Sequence, residues 1–301
     1  MTEQGERLAA IDVGSTTILL LIAEHHPPAG LTIIDEAEDQ PRLGAGLSGS
    51  GRLSPAAMDR SLQTLIRMHD ICRSHRVQRI GAVATAAVRD AENGGEFVER
   101  VRALGLPLQI ISPETEAALA YRSAVYHFPG GERTLVADIG GGSLELIGAS
   151  RASIELTHSL PLGAVRLTEL ALPLADLRHH VRRALDQALP RHLWSGAGVI
   201  GSGGTFATLA AMAQAECGLT GQPVTGVEIS TKEIEGMLTR LSALSPEQRR
   251  KVPGLRPERA DIIVAGIAVA AELLERVRAG SVRVNGYGLR EGLLLEMAGI
   301  E

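Results

Sequence analysis

The sequence predicts an α/β protein of two domains, each built to the same βββαβα plan, with a cleft between them. Three observations carry that expectation. Ile11-Asp12-Val13-Gly14-Ser15-Thr16-Thr17, followed by Ile18 to Ile22, is imperfectly copied by Ala137-Asp138-Ile139-Gly140-Gly141-Gly142-Ser143, followed by Leu144 to Ile147. In each half three strands come first and helices then alternate with strands, the order of a sheet covered by helices. The 301 residues also exceed the usual length of a single domain. The expected domains are residues 1–123 and 124–301, the last helix either completing the second or packing back on the first.

The first half opens with strands at Leu8–Asp12, Ile18–Ala23 and Leu31–Ala37, apolar runs bounded by turn residues. A Gly-rich loop, Arg42-Leu43-Gly44-Ala45-Gly46-Leu47, leads to a helix with Ser54 as N-cap and Pro55 as first helical residue. Met58, Leu62, Leu65 and Cys72 recur along it with the 3.6-residue period of a buried face. A strand at Ile80–Ala84, a helix after Ala91, a strand at Leu108–Ile111 and a helix begun by Ser112-Pro113-Glu114-Thr115 complete this half. The second half repeats the order, with strands at Thr134–Asp138, Leu144–Gly148 and Ser153–Leu160, then helices separated by a strand at Val199-Ile200. Long helices near Thr231–Leu244 and Glu258–Arg278, a strand at Val282–Val284 and a helix from Leu289 follow.

The chemistry concentrates in the turns. A turn of Gly, Ser and Thr presents successive backbone N–H groups with no side chain in the way, as phosphate cradles do. Gly14, Ser15, Thr16 and Thr17 form one such turn; Gly140, Gly141, Gly142 and Ser143 form another. Asp12 and Asp138, just before them, are placed to meet a divalent cation bridging phosphate oxygens, although either could simply cap its turn. A third turn, Gly201-Ser202-Gly203-Gly204-Thr205, opens a helix; it suits phosphate or merely close packing. Glu145 interrupts an apolar strand, where an unpaired charge is costly unless that face is solvated. No Gly-x4-Gly-Lys-Ser/Thr run exists, so the phosphate loops are not of the P-loop type.

Composition excludes several classes. Hydrophobic residues make up 45% and charged residues 22%, as in an ordinary globular protein. The net charge of −5 argues against a broadly basic nucleic-acid binder, and 2% aromatics are too few for base-stacking platforms along a single strand. Lys232 and Lys251 are the only lysines, so any grip on a polyanion is built from Arg, whose planar fork binds phosphate through two parallel hydrogen bonds. Cys72 and Cys217 suffice for neither a disulfide framework nor a thiolate metal site, and the scattered histidines lack zinc spacing. The acidic start, Met1 to Arg7, is unlike a signal peptide, and no apolar run nears the roughly 18 residues of a membrane span. A cytoplasmic protein that binds neither membrane nor nucleic acid is expected.

The paired phosphate hairpins are similar to those of the actin, hexokinase and heat-shock-chaperone ATPase superfamily, whose domains are ribonuclease-H-like. Within it the chain resembles the exopolyphosphatase/guanosine pentaphosphate phosphohydrolase family in its short form. The residues that carry this are Ile11 to Ser15, Arg42-Leu43-Gly44, Ala84 to Ala91, Asp138 to Glu145, Ser159 to Leu167, Gly201 to Thr205, Arg259-Ala260-Asp261 and Gly288 to Gly292. The resemblance implies a hydrolase that removes the terminal phosphate of inorganic polyphosphate or of guanosine pentaphosphate. It implies that Glu116 is the general base, that Asp138 and Glu145, with Asp12 as their counterpart, hold Mg²⁺, and that Arg89 and Arg259 clamp phosphate. From the residues alone, Glu116 could equally be an acid that suits a helix start, and neither Arg stands out. A monovalent cation such as K⁺ is an optional assistant, and a homodimer, which would lengthen a polyanion track, is the expected assembly.

The chain departs from the family pattern at Thr16 (usually Asn), Leu19 (usually Arg or His), Pro113 (usually Gly) and Ala118 (often Arg). Polyphosphate is favoured over guanosine pentaphosphate because few aromatics are available to hold a base. Two other readings remain: a kinase or ATPase of the superfamily, which would need a base pocket near Gly201 to Thr205, and a non-catalytic sensor of polyphosphate or guanosine tetraphosphate.

Overall fold

The first three strands of each half form an antiparallel meander, and the next strand returns parallel to the first. In the computed structural model, which describes residues 5–129, 131–151 and 153–300, this occurs once in each of two units. Part of the leader reading of the N-terminus therefore falls outside the described residues. One unit runs to Ser123 and takes back the chain from Leu289; the other is Ala124–Gly288.

In the first unit β1 (Glu6–Val13), β2 (Ile18–His26) and β3 (Gly30–Asp39) form the meander. The helices α1 (Leu47–Ser50) and α2 (Pro55–Ser74) lead to β4 (Arg79–Ala84), which lies parallel to β1. Then come α3 (Ala86–Asp90), α4 (Gly94–Arg102), β5 (Leu108–Ile110) beside β4, and α5 (Pro113–His127). The sheet order is β3-β2-β1-β4-β5. β1 and β2 bury the apolar runs Leu8–Ile11 and Leu20–Ala23, whereas the edge strand β3 carries Asp35, Glu36, Glu38 and Asp39, charges that discourage pairing with another chain. The Ser54 hydroxyl accepts the Ala57 N–H, and Met58, Leu62, Leu65 and Cys72 of α2 are buried in the core. The helix expected after Ala91 is α4; the short α3 precedes it, with Ala91 extended between the two and Gly94 packed against the Val88 carbonyl.

The second unit repeats the plan with β6 (Arg133–Ile139), β7 (Leu144–Ser150) and β8 (Ser153–Leu160). The helices α6 (Ala164–Glu169), α7 (Leu174–Ala188) and α8 (Arg191–Trp194) precede β9 (Gly198–Ser202), which is parallel to β6. The chain continues through α9 (Gly203–Glu216), β10 (Glu228–Ser230), α10 (Thr231–Ser242), α11 (Pro246–Arg249), α12 (Ile263–Val277) and β11 (Ser281–Val284). The sheet order β10-β11-β9-β6-β7-β8 matches the first unit with one added edge strand. The long helix expected from Glu258 starts only at Ile263. Pro257–Arg259 forms a 3₁₀ turn, closed by the Ala260 N–H on the Pro257 carbonyl, and the Arg249 guanidinium occupies the Ala260 carbonyl. The last helix, α13 (Gly288–Ala298), packs from Leu289 onward with the first unit. No helix among the described residues is long and apolar enough to cross a membrane.

Candidate active site

The two duplicated turns are shaped by what happens to their carbonyls. In the first, the Gly14 N–H closes the turn on the Thr17 carbonyl at 3.0 Å. The Gly44 N–H takes the Ser15 carbonyl at 2.8 Å and the Arg42 N–H takes that of Thr16 at 3.0 Å. In the second, the Gly140 N–H closes on Ser143 at 3.0 Å, while Ala164, Val165 and Arg166 donate to the Gly140 and Gly141 carbonyls. The Arg166 side chain takes the Gly142 carbonyl at 2.9 Å. With the carbonyls tied back, the amides of Ser15 and Thr16, and of Gly141, Gly142 and Ser143, meet no acceptor among the described residues. Adjacent unpaired N–H groups of this kind make an anion-binding concavity.

This backing requires glycine. A Cβ on Gly163 would lie 2.3 Å from the Gly142 carbonyl carbon, so the start of α6 reaches the turn only without a side chain. Gly44 is less constrained, its Cβ position being 3.1 Å from Ser15 Cβ and 3.3 Å from Ala87 Cβ. Ala87 belongs to α3, which also carries Arg89, so that guanidinium originates beside the first turn. Arg89 Nη1 donates to the Ile111 carbonyl and to Glu116 Oε2, each at 3.0 Å. Glu116 lies in the first turn of α5 and is only 7% exposed. The first unit thus pairs Glu116 with Arg89, on a helix whose Ala87 packs through Gly44 against the turn Gly14–Thr17. Pro113 is the first residue of α5, a position where an N–H has no intrahelical partner, so the missing donor costs the helix nothing. Ala118 is exposed on the same helix.

The second unit assembles a different set. Register pairs Ser202 with Asp138, Asp138 with Glu145, and Glu145 with Ser159, so one row of four side chains crosses β9, β6, β7 and β8 on a single face. The Ser202 hydroxyl donates to Asp138 Oδ2 at 2.7 Å, and the Ser159 hydroxyl to Glu145 Oε1 at 3.0 Å. Glu145 is 2% exposed, which removes the solvated-strand reading. Gly203, at φ 83°, lies where a Cβ would come within 2.5 Å of Asp138 Oδ1. A Cβ on Gly204 would strike Arg259 Nη1 at 1.9 Å, so the Arg259 guanidinium rests on the first turn of α9. An anion at this helix start would meet the positive helix end and the Arg259 guanidinium together.

The carboxylates of this row fit a hard cation. Like charges directly opposite one another weaken an antiparallel pair, and burial raises the Asp138 carboxyl above the usual carboxylate range, with the Ser202 hydrogen bond opposing it. A divalent cation relieves both penalties. Mg²⁺ is commonly held by one or two carboxylates, with water and substrate phosphate filling its shell. Among the described residues no group of three or more His, Cys, Asp or Glu could hold a metal. Asp12 has Leu19 and Val83 as its row neighbours, so no second carboxylate lies directly opposite it.

Sequence reasoning passed over Ser159, Ser202, Gly163 and Arg166 as site residues. All four lie within the blocks that carry the resemblance, but their relation to the turns is a matter of register and packing.

The profile of the Ppx/GppA phosphatase family matches residues 21–301. The chain belongs to this family. It is 31% identical over 302 residues to "Exopolyphosphatase 1" of Mycobacterium tuberculosis, covering 96% of this chain and 87% of that one. It is 30% identical to "Exopolyphosphatase 2" of the same organism, covering 97% and 99%. Among solved structures, the Ppx/GppA family member of Aquifex aeolicus superposes with TM-score 0.81 at 30% identity over 97% of each chain. An exopolyphosphatase from Cytophaga hutchinsonii gives 0.89 at 27% identity over 98% of this chain and 99% of that one. Ppx/GppA membership brings with it the reaction class, hydrolysis of a phosphoanhydride.

Proposed function

We propose that this Ppx/GppA protein is a Mg²⁺-dependent exopolyphosphatase that releases terminal orthophosphate from inorganic polyphosphate. The observation that carries the reading is the pair of turns in which later segments engage the carbonyls of Ser15 and Thr16, and of Gly140, Gly141 and Gly142, while the amides of Ser15, Thr16, Gly141, Gly142 and Ser143 stay open. Such a cradle suits repeated, identical anionic groups and makes no demand for a base or sugar.

Water is a weak nucleophile and the phosphate chain is already anionic, so catalysis must orient the water, neutralise charge and keep attack in line. Glu116 takes a proton from water as its oxygen attacks the terminal phosphorus; the bond to the bridging oxygen breaks and the shortened chain leaves with that electron pair. Arg89, engaged with Glu116 in the structure, is also a phosphate ligand, so an arriving phosphate group competes for its guanidinium and releases Glu116 towards water. Arg259, Gly203 and Gly204 hold phosphate at the start of α9, and the amides of the duplicated turns hold further oxygens. Mg²⁺ bound by Asp138 and Glu145 supplies charge neutralisation on the phosphate oxygens.

The test is orthophosphate release from long-chain polyphosphate by wild type and Glu116→Gln, with Mg²⁺ and with chelator. Loss of the base is expected to lower kcat by about 10²- to 10⁴-fold. Equal, metal-independent release by both proteins overturns the reading.

Guanosine pentaphosphate is the second reading, favoured by one observation. His127 and Tyr287 stack with ring centroids 5.8 Å apart, and Tyr287 immediately precedes Gly288, whose Cβ position is 3.5 Å from Asp138 Oδ2. A stacked ring pair bordering the Asp138 site is a surface on which a base could rest. If guanosine pentaphosphate is the preferred substrate, Tyr287→Ala lowers kcat/KM for it selectively and leaves polyphosphate unaffected.

A further inference from the structure

We propose that Glu291 is a positioning residue that acts through α5 on Glu116. The inference rests on Glu116 being the base. Glu291 sits on α13 and is only 2% exposed, and its Oε2 accepts the hydroxyl proton of the fully buried Ser123 of α5 at 2.6 Å. A carboxyl removed from water is costly unless it is hydrogen-bonded, and an apolar side chain would fill the same space more cheaply. The Ser123 hydroxyl is one bond that holds it there.

The neighbouring residue shows how closely the two helices meet. A Cβ on Gly292 would lie 1.9 Å from the Leu119 carbonyl oxygen, so the backbones of α13 and α5 are in direct contact. Leu119 lies one turn beyond Glu116, and Ser123 two turns beyond. Side chains seven residues apart on an α-helix project within about 20° of each other, so a turn or slide of α5 at Ser123 is carried directly to Glu116. On its other side α13 is fastened by Arg290, whose Nη1 donates to the Leu20 carbonyl and Nη2 to Glu36 Oε2, each at 3.1 Å. Leu20 lies on β2, the strand that leaves the turn Gly14–Thr17. Within the first unit, Arg290, Glu291 and Gly292 form a brace between the helix that bears the base and the hairpin that bears the first anion cradle.

The experiment is a double-mutant cycle. Glu291→Ala and Glu291→Gln are made in the wild-type and Glu116→Gln backgrounds; folding is checked by thermal melting, and kcat and KM are measured for release from polyphosphate. Glu291→Ala is expected to lower kcat by about 10- to 100-fold while KM changes less than about 2-fold, since a displaced catalytic group costs rate more than binding. Glu291→Gln, which keeps an acceptor for Ser123, restores most of the rate. In the Glu116→Gln background Glu291→Ala costs less than about 2-fold, because no base remains to be misplaced. Equal losses in both backgrounds, a change in KM alone, or a Gln variant as poor as Ala overturns the proposal. If Glu116→Gln abolishes release and Glu291→Ala does not affect it, the brace fails and the base stands; if Glu116→Gln is fully active, the base reading itself falls. Should Glu291→Ala not fold, Ser123→Ala, which removes only the donor, takes its place under the same expectations.

Discussion

The two hairpins share a backbone and differ in the side chains that cross it. Each turn closes through one N–H on the carbonyl three residues on, at 3.0 Å in both, and each has its carbonyls drawn back by a later segment. The rows beside them diverge. In the second unit Asp138 is flanked by Ser202 and Glu145, with Ser159 beyond; in the first, Asp12 is flanked by Val83 and Leu19, with Glu38 beyond. Both copies keep the backbone of the turn, while the opposed carboxylates belong to the second alone. In the first unit a buried carboxyl comes instead from α5, as Glu116.

The largest test of this division compares the two aspartates. Asp138→Asn removes one of the opposed acids and is expected to cost about 10³-fold in kcat, several kcal/mol of charge stabilisation in the transition state. Asp12→Asn, which has no acid directly opposite, is expected to cost about 10-fold or less, an ordinary hydrogen-bond loss. Release rates across a Mg²⁺ titration decide it: equal losses would mean that the two hairpins divide the metal work evenly.

The backing of the turns gives a sharper and smaller contrast. Gly163→Ala forces a methyl to within 2.3 Å of the Gly142 backbone, where nothing can rotate aside, whereas Gly44→Ala meets Ser15 Cβ at 3.1 Å. Overpacking against backbone is expected to destabilise the first variant by about 1–3 kcal/mol and the second by less than about 1 kcal/mol. Urea unfolding of both, with release rates alongside, measures the difference. Should Gly44→Ala prove the more damaging, the first cradle is the more tightly backed.

How much of this was legible in the sequence follows from range. The hairpins, the Ser54 cap and the succession of strands along each half were readable because strand, turn and strand are encoded among close neighbours in the chain. The pairing of Ser202 with Asp138 was not, since it depends on which strand β9 lies beside, a choice made by the whole sheet. Nor was the close approach of Gly163, because glycine in a loop has many uses until a neighbour is seen against it. Just before α12 starts at Ile263, the Arg249 guanidinium meets the Ala260 carbonyl, a contact between side chain and distant backbone that helical periodicity does not record. Glu116 is a further case. Its position in a helix start is equally that of a residue serving the helix dipole, and only its burial against Arg89 distinguishes it.

A pH experiment tests whether the second row is strained in the absence of a cation. Burial raises the folded-state pKa of Asp138 above the unfolded value. Between the two values the folded state holds more protons than the unfolded state, so stability falls as pH rises through that window, and the deficit persists above it. In chelator at neutral pH, Asp138→Asn is therefore expected to melt roughly 2–4 °C above wild type. The difference should vanish on acidification below the ordinary carboxylate range and reverse when Mg²⁺ is restored. Thermal melts across pH, with and without Mg²⁺, give the result; an Asn variant that is less stable in chelator at neutral pH would show that the buried acid is fully satisfied by its hydrogen bond.

The smallest expected effect sits in the first turn, at the residue whose counterpart is Gly142. Thr16 is 4% exposed, and its Oγ1 is buried with no hydrogen-bond partner among the described residues. A buried hydroxyl without a partner costs about 1–3 kcal/mol in desolvation, and the isosteric Thr16→Val removes that cost while keeping the shape. The variant is expected to be as stable as wild type or more stable by up to about 1 kcal/mol, since relaxation hides part of the gain. If the hydroxyl is kept for a phosphate oxygen, the same change raises KM for polyphosphate several-fold and leaves kcat unaltered, the pattern of lost ground-state binding. Stability and KM rising together would mark the first hairpin as a cradle that adds one side-chain donor to its amides, where the second relies on backbone and metal. A gain in stability with KM unchanged would leave the hydroxyl without a role in binding.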